Sequence, residues 1–297
     1  MILDKFALDN TIIQVLDIHI QEIEKEFENI GNKTNVISYT GDIDTSFLKK
    51  FREFIELVIK EDNKEEILTI VLNTPGGSAS AVEKMVEIIR YHYDTVFFII
   101  PDSAMSAGTI FSMSGDKIYM DYSSSLGPID PQVLKNDRYV PALGYLDKVE
   151  ELIQKSNNNS LSDAEFAMLQ SLDLAELRQY EQAKELSIDL LKKWLVKYKF
   201  KDWDIHRTDN EKKNLAVTEE EKQERAEYIA TMLSDNKIWH SHGRYIGIET
   251  VKNILKLEIE DYSNQDGLRK SILTYNNLLT EFVAKNNRRI FFHTKLK

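Results

Sequence analysis

Apolar residues follow two different spacings along this chain. From residue 35 to residue 145, continuous apolar runs such as NVISY, EEILTIVLN and TVFFII alternate with segments of helical periodicity. Short runs rich in β-branched residues are typical of strands that are buried on both faces. Strands that alternate with helices predict βαβ units with right-handed crossovers and a parallel sheet. We therefore expect an α/β core over residues 35–145.

Two amphipathic helices are predicted between these strands. One covers DTSFLKKFREFIELVIKE, with Asp44 or Thr45 as its N-cap, and the other follows Gly77. A short helix in SAGTIFSMSG and a strand in DKIYMD complete the series. The side chains expected to face the core are Phe47, Phe51, Phe54, Ile55 and Val58 in the first helix, and Val82, Met85, Val86 and Ile89 in the second.

Residues 1–34 carry a different pattern. Apolar residues recur at alternating gaps of three and four after Asn10, which predicts a helix that begins there. This stripe suits either a helix that lies on its own core or an oligomerisation arm that pairs with another subunit. The positions are Ile13, Leu16, Ile20, Ile23, Phe27 and Ile30.

Residues 146–297 are predicted to be largely helical, either as part of the same fold or as an appended subdomain. A polar link, QKSNNNSLSD, follows the first of these helices. The expected helical stretches are 146–156, 162–199, 219–233, 248–261 and 267–285.

Composition narrows the range of functions. The 297 residues carry a net charge of −11, which argues against nucleic acid as a partner because such proteins normally present a basic face. The lysine- and aromatic-rich segment LLKKWLVKYKFKDW is therefore interpreted as the end of an amphipathic helix. The chain has no cysteine, which excludes disulfides and thiolate nucleophiles. Its longest apolar run, Val96–Ile100, is too short to span a membrane, and we expect a cytoplasmic protein.

Two turns each leave a predicted strand and open a predicted helix. The first contains Gly76 and Gly77, and the second contains Ser106 and Ala107. In open α/β sheets, ligands bind at the carboxyl ends of the strands, where both turns lie. A hydroxyl on Ser106 could attack a carbonyl there, while the amides of Gly77 and Ala107 form a two-donor oxyanion hole. Each turn alone has a simpler explanation, a tight turn for the glycines and a helix N-cap for Ser106, and their combination favours the catalytic interpretation.

The motifs VLNTPGGSASAVEKM, PDSAMSAGTIF and LGPIDPQ resemble the serine dehydrogenase proteinase family. This family belongs to the Clp protease/crotonase superfamily and is related to signal peptide peptidase A. The resemblance is clear from residue 35 to residue 132 and looser in WHSHGRYIGIE. It implies a ClpP/crotonase-like spiral fold of parallel βαβ units, a homo-oligomer and a serine peptidase mechanism.

The general base is the open question. Where Clp proteases carry their catalytic histidine, this chain reads GPIDPQ, with Asp130 and no histidine. Peptidases similar to signal peptide peptidase A use a lysine, because burial depresses the pKa of an amine and lets it accept a proton. Lys148 has a spacing from Ser106 similar to that of such Ser-Lys dyads, although it also fits a solvated lysine flanked by Asp147 and Glu150. Lys135 is the second choice.

Two further residues have alternative interpretations. Asp130 either orients a base or caps a turn between two prolines. His240 and His242 form an H-x-H pair without a companion at metal-ligand spacing, so no metal and no cofactor are expected. His242 has either a structural role or the role of an alternative base.

These observations predict an ATP-independent serine peptidase that works through an acyl-enzyme and cleaves peptide or protein substrates. A first alternative is a crotonase-type acyl-CoA enzyme, which uses the same pair of amides on an enolate. A second alternative is a catalytically inactive ClpP-like module that binds a partner.

Overall fold

The computed structural model describes residues 2–61, 64–135, 138–207 and 211–295. The strands are β1 (Thr34–Gly41), β2 (Ile67–Asn73), β3 (Thr95–Ile100), β4 (Ser103–Ala104), β5 (Lys117–Met120), β6 (Ser125–Leu126), β7 (Gln132–Lys135), β8 (Arg138–Pro141), β9 (Ile246–Gly247), β10 (Glu260–Asp261) and β11 (Ile290–His293). The helices are α1 (Ile2–Asn29), α2 (Leu48–Glu61), α3 (Ala79–His92), α4 (Ala107–Ser112), α5 (Ala142–Asn157), α6 (Asp163–Gln170), α7 (Leu174–Trp194), α8 (Glu219–Ser234), α9 (Asn236–Trp239), α10 (Ile248–Asn253) and α11 (Asp266–Lys285). A 3₁₀ turn, Thr45–Phe47, precedes α2, and a π-helical segment, Leu195–Lys199, extends α7.

The main sheet has the strand order β10-β5-β3-β2-β1-β11. All neighbouring pairs from β10 to β1 are parallel, and β11 joins the other edge antiparallel to β1. The expected parallel α/β core is confirmed. Strand β3 has the predicted bounds, because an apolar run buried on both faces is the strongest strand signal in the chain.

Helices cover both faces of this sheet. On one face, the apolar sides of α2, α3 and α4 pack on strand residues such as Ile37, Leu72 and Phe98. Phe51, Ile55 and Val58 are buried as predicted, and Asp44 caps the 3₁₀ turn by accepting a hydrogen bond from the Ser46 amide. On the other face, α1 and α11 pack on the alternate strand residues.

Helix α1 begins at Ile2 and continues through Asn10, so the predicted N-cap at Asn10 is wrong. The stripe in its second half contacts α11 of the same chain. The residues of the two helices that are buried in this shared cluster are Leu16, Ile20, Ile23 and Phe27 from α1, and Leu268, Ile272, Tyr275 and Leu279 from α11.

The C-terminal helical predictions need two corrections. The stretch 162–199 is broken, because Asp173 accepts hydrogen bonds from the amides of Ala175 and Glu176 and starts a new helix there. The stretch 248–261 is helical only to Asn253, and its last two residues form β10 on the main sheet.

A second, three-stranded sheet has the order β4-β6-β9. Strand β4 is parallel to β6, with Ala104 opposite Leu126, and β9 is antiparallel to β6, with Ile246 opposite Leu126. The carboxyl ends of β4 and β6 therefore lie on the same side of this sheet as the amino end of β9. The segments that carry several of the predicted site residues extend from these strand ends.

Candidate active site

The two turns recognised in the sequence lie against each other. Strands β2 and β3 are parallel neighbours, so their carboxyl ends lie side by side on the same side of the main sheet. Just beyond them, Thr74 and Ala104 form a parallel bridge. The Thr74 amide donates to the Ser103 carbonyl at 2.9 Å, and the Met105 amide donates to the Thr74 carbonyl at 3.0 Å. The predicted convergence of the two turns is present.

The glycines allow this close approach. Gly76 has φ +103°, and a Cβ at this position would lie 2.6 Å from the Met105 carbonyl oxygen and 2.9 Å from the Ser106 Cβ. Gly77 has φ +142°, and its Cβ would lie 2.0 Å from the Ile43 carbonyl oxygen. Both values of φ are strained for any residue with a side chain. The Pro-Gly-Gly turn therefore fits between Ile43 and the Ser106 loop only because it lacks side chains.

Ser106 has an unusual backbone conformation for its position. Its φ of 51° and ψ of −114° lie outside the regions that L-residues normally adopt, and its side chain makes no capping hydrogen bond to α4. A residue held in such a conformation costs on the order of 1–3 kcal/mol, and this strain clusters at functional sites. Ser106 occupies the N-cap position of α4, as the simpler interpretation expects, but capping does not account for its hydroxyl, which makes no hydrogen bond to the helix.

The amides of Gly77 and Ala107 belong to the two turns that lie against each other. The Ala107 nitrogen would lie 3.3 Å from a Cβ on Gly76, so the glycine turn and the first residue of α4 are in contact. Among the described residues, no hydrogen bond uses the amide of Gly77 or of Ala107 as donor. Both amides can therefore donate to a ligand.

A buried carboxylate contacts an imidazole in the segments that follow β6 and precede β9. The Nδ1 atom of His242 lies 2.9 Å from Oδ1 of Asp130, whose side chain is only 1% exposed. The His242 side chain is 21% exposed, and its Nε2 has no hydrogen-bond partner in the described part of the chain. An imidazole fixed through one nitrogen and open at the other is the arrangement of a general base with an orienting carboxylate.

The three-stranded sheet directs three segments that are distant in the chain toward the same side. Ser106 follows β4 by two residues, Asp130 follows β6 by four residues, and His242 precedes β9 by four residues. Because β4 is parallel to β6 and β9 is antiparallel to β6, the segments that carry these three residues extend from the same end of the strands in the small sheet.

The lysine candidates have different environments. Lys148 lies on α5 with its side chain 52% exposed, and its Nζ donates to both carboxylate oxygens of Glu151 at 3.0 and 2.9 Å. The predicted dyad requires a desolvated neutral amine, and an exposed, ion-paired lysine does not meet that requirement. The Lys135 backbone belongs to β7, and its side chain lies outside the described part of the structure.

The other expectations concern metal and membrane. His240 ends α9 in a left-handed conformation with φ 62° and does not join His242 in a ligand cluster. Within the described residues, no group of three or more His, Asp or Glu side chains could hold a metal ion. In the same residues, every helix is too short or too polar to cross a bilayer.

A sequence model of the ClpP-like SDH-type serine proteinases matches residues 51–218, more than half of the chain. The chain belongs to this family. The match includes both turns and Asp130, whereas His242 lies beyond it.

Similarity to individual proteins is more limited. An uncharacterized protein of Methanocaldococcus jannaschii is 35% identical over 81 residues, 27% of this chain and 28% of that protein. The proteolytic subunit of the ATP-dependent Clp protease of Lactococcus lactis is 32% identical over 85 residues, 29% of this chain and 42% of that subunit. The matched segment thus spans less than half of these relatives. Among solved structures, a single-residue mutant of the 1510-N membrane-bound stomatin-specific protease has a TM-score of 0.46 and 16% identity, over 80% of this chain and 83% of that chain.

Proposed function

We propose that this SDH-type serine proteinase cleaves peptide bonds through an acyl-enzyme formed on Ser106. The observation that carries the proposal is the conformation of Ser106, whose strained backbone lies against Gly76 and whose hydroxyl does not cap α4. Strain of this kind persists only where the surrounding structure imposes it, and a nucleophile on a sharp strand-to-helix turn is a known use.

The proposed base is His242, oriented by Asp130, in place of the Ser-Lys dyad first expected with Lys148. The 2.9 Å contact between the His242 ring and a buried carboxylate supports this choice, as does the ion pair of Lys148 with Glu151. In the first step, the Ser106 Oγ attacks the substrate carbonyl carbon, and its proton passes to Nε2 of His242. Asp130 would then stabilise the resulting imidazolium.

The remaining steps use the same groups. The negative charge on the substrate oxygen would be bound by the amides of Gly77 and Ala107. His242 returns its proton to the departing amine as the carbon–nitrogen bond breaks, leaving an acyl ester on Ser106. Water then attacks this ester and gives a proton to His242, which passes it back to the Ser106 oxygen as the acid leaves. No nucleotide and no metal enter these steps.

The proposal includes a peptide or protein substrate, a homo-oligomer and action in the cytoplasm without ATP. Cleavage of a pool of unstructured peptides in nucleotide-free buffer tests the substrate class and the independence from ATP. Size-exclusion chromatography with light scattering tests the assembly.

The decisive test is labelling with a fluorophosphonate probe, followed by mapping of the modified residue by mass spectrometry. We expect the probe on Ser106 in the wild type and no labelling of Ser106→Ala. The matched control is Ser162→Ala, which removes a serine that does cap a helix, α6, and is expected to label like the wild type. Turnover of acyl-CoA thioesters that persists in Ser106→Ala would instead support a crotonase-type enzyme. Absence of labelling in the wild type would contradict the peptidase proposal.

A further inference from the structure

Thr109 is a fully buried hydroxyl on α4, three residues after Ser106. Its Oγ1 donates to the carbonyls of Ala104 and Gly127, each at 2.8 Å. The same oxygen accepts the Gly127 amide at 2.9 Å. A hydroxyl has one hydrogen and two lone pairs, so this side chain makes three contacts by sharing its proton between two carbonyls.

These contacts join the two segments on which the proposed mechanism depends. Ala104 ends β4 and precedes Ser106 by two residues. Gly127 follows β6 and precedes Asp130 by three residues. The segments also touch directly, because a Cβ on Gly127 would lie 3.2 Å from the Met105 Cα. Thr109 therefore links the segment that leads to the proposed nucleophile with the segment that leads to the carboxylate proposed to orient the base.

We propose that Thr109 is a positioning residue that fixes the Ser106 turn relative to the Asp130 segment. This inference rests on the proposed function and adds a residue to it. The physical reason is the strained backbone of Ser106, because such a conformation persists only when contacts from neighbouring residues impose it. Thr109 holds the turn at Ala104, on the N-terminal side of Ser106, while the Ile110 amide holds it on the other side by donating to the Ser106 carbonyl at 3.2 Å. Catalytic groups lose effectiveness when their geometry shifts by as little as about 1 Å.

The test compares Thr109→Val with Thr109→Ser in the full chain. Valine keeps the shape of threonine but removes the hydroxyl, whereas serine keeps the hydroxyl and removes a methyl group. The control is Ser112→Ala, which removes another buried hydroxyl of α4 whose bond, to the Thr109 carbonyl, stays inside the helix. The readout is the second-order rate of Ser106 labelling by the fluorophosphonate probe, at a temperature at which circular dichroism shows every variant to be folded.

We expect Thr109→Val to label at least about tenfold more slowly than the wild type, since it loses the contacts that align the two segments. Thr109→Ser is expected to restore the rate to within about threefold, and Ser112→Ala to label at the wild-type rate while unfolding at a lower temperature. A purely structural role for Thr109 would lower the unfolding temperature of Thr109→Val without changing its labelling rate.

Wild-type labelling combined with an unchanged rate in folded Thr109→Val would overturn the positioning role and leave the proposed function intact. Absence of labelling in the wild type would overturn both. If Thr109→Val does not fold, Thr109→Ser decides: a tenfold loss of labelling in this hydroxyl-retaining variant would contradict the inference, and a rate near that of the wild type would support it.

Discussion

The Nδ1 atom of His242 lies 2.9 Å from Oδ1 of Asp130, a carboxylate that is only 1% exposed. The two residues are 112 positions apart in the chain, and the antiparallel pairing of β6 with β9 brings their segments together. The contact supports His242 over Lys148 as the proposed base, because it leaves the opposite ring nitrogen, Nε2, open to take a proton.

The base assignment predicts how three variants differ. We expect His242→Gln and Asp130→Asn to slow peptide cleavage by about a thousandfold or more, because the proton acceptor is lost in one and misoriented in the other. Lys148→Ala is expected to retain the wild-type rate, since it removes only an exposed ion pair. The measurement is the initial rate of cleavage of an unstructured fluorogenic peptide.

The opposite pattern, with full activity in His242→Gln and none in Lys148→Ala, would restore the Ser-Lys dyad. Thermal unfolding of each variant separates a loss of activity from a loss of folded protein.

The close packing of the glycine turn predicts that adding one methyl group at Gly76 lowers both stability and the labelling of Ser106. In Gly76→Ala, the new Cβ would lie 2.6 Å from the Met105 carbonyl at φ +103°. We expect this variant to lose about 1–3 kcal/mol of unfolding free energy and most of its Ser106 labelling, since the turn must move away from the serine. Urea unfolding and probe labelling measure the two effects.

Gly144→Ala is the matched control. Gly144 lies exposed on α5 with open space around its Cβ position, so alanine there is expected to stabilise the protein by about 0.5–1 kcal/mol. Equal behaviour of the two alanine variants would show that the glycine turn is not packed against Ser106.

The buried ion pair between Arg90 and Asp116 predicts a large loss of stability when one partner is removed. Arg90 Nη1 lies 3.0 Å from Oδ2 of Asp116, and both side chains are at most 7% exposed. The guanidinium also lies over the Tyr198 ring at 3.7 Å. Arg90→Met is expected to cost about 3 kcal/mol, because the buried carboxylate of Asp116 then keeps only the Lys201 ammonium as a cationic partner among the described residues.

Arg178→Met provides the comparison, as Arg178 pairs with Glu181 at 2.8 Å on the surface and is 57% exposed. Its loss is expected to cost less than about 1 kcal/mol. Similar losses in both variants, measured by urea unfolding, would contradict the role assigned to burial.

His293 predicts a dependence of stability on pH. Burial lowers the pKa of this histidine to about 4. Asp17 lies 3.2 Å from its Nε2 without forming a hydrogen bond, and Tyr275 shares a hydrogen bond with its Nδ1 at 2.8 Å. Below the pKa of an unfolded histidine, about 6.5, the unfolded chain binds the proton more readily than the folded protein does.

The contribution of His293 to stability is therefore complete above about pH 6.5 and is lost as the pH falls toward 4. The size of this loss is on the order of 3 kcal/mol. Urea unfolding of the wild type and of His293→Gln between about pH 7 and pH 4 measures it, and we expect a smaller decline in the variant. Parallel pH profiles would contradict the assignment.

The sequence predicts the parts of the fold that local patterns determine. The run Thr95–Ile100 is a strand because it is apolar without interruption, and α3 follows Gly77 because apolar residues recur at helical spacing. Strands β10 and β11 are not predicted, because segments of two and four residues carry little periodicity and pair with strands far away in the chain.

In the candidate site too, the features set by local patterns could be predicted and those set by pairing between distant segments could not. Gly76, Gly77 and Ser106 stand in two local turns, so their convergence could be inferred from the parallel strands that precede them. The contact between Asp130 and His242 depends on the three-stranded sheet, whose strands have two residues each and no signature in the sequence. The spacing of Lys148 from Ser106 gave no information about which side of α5 faces solvent.

The pairing of β11 with β1 affects how this protein is made. Ser38 stands opposite His293, so β1 lacks its antiparallel partner until β11, more than 200 residues later in the chain, has been synthesised. During translation, the nascent β1 therefore presents unsatisfied peptide groups that a neighbouring nascent chain can pair with. Contacts between residues so distant in the chain also make folding slow. We expect the yield of native protein to depend on chaperones that shield this edge until β11 has been synthesised.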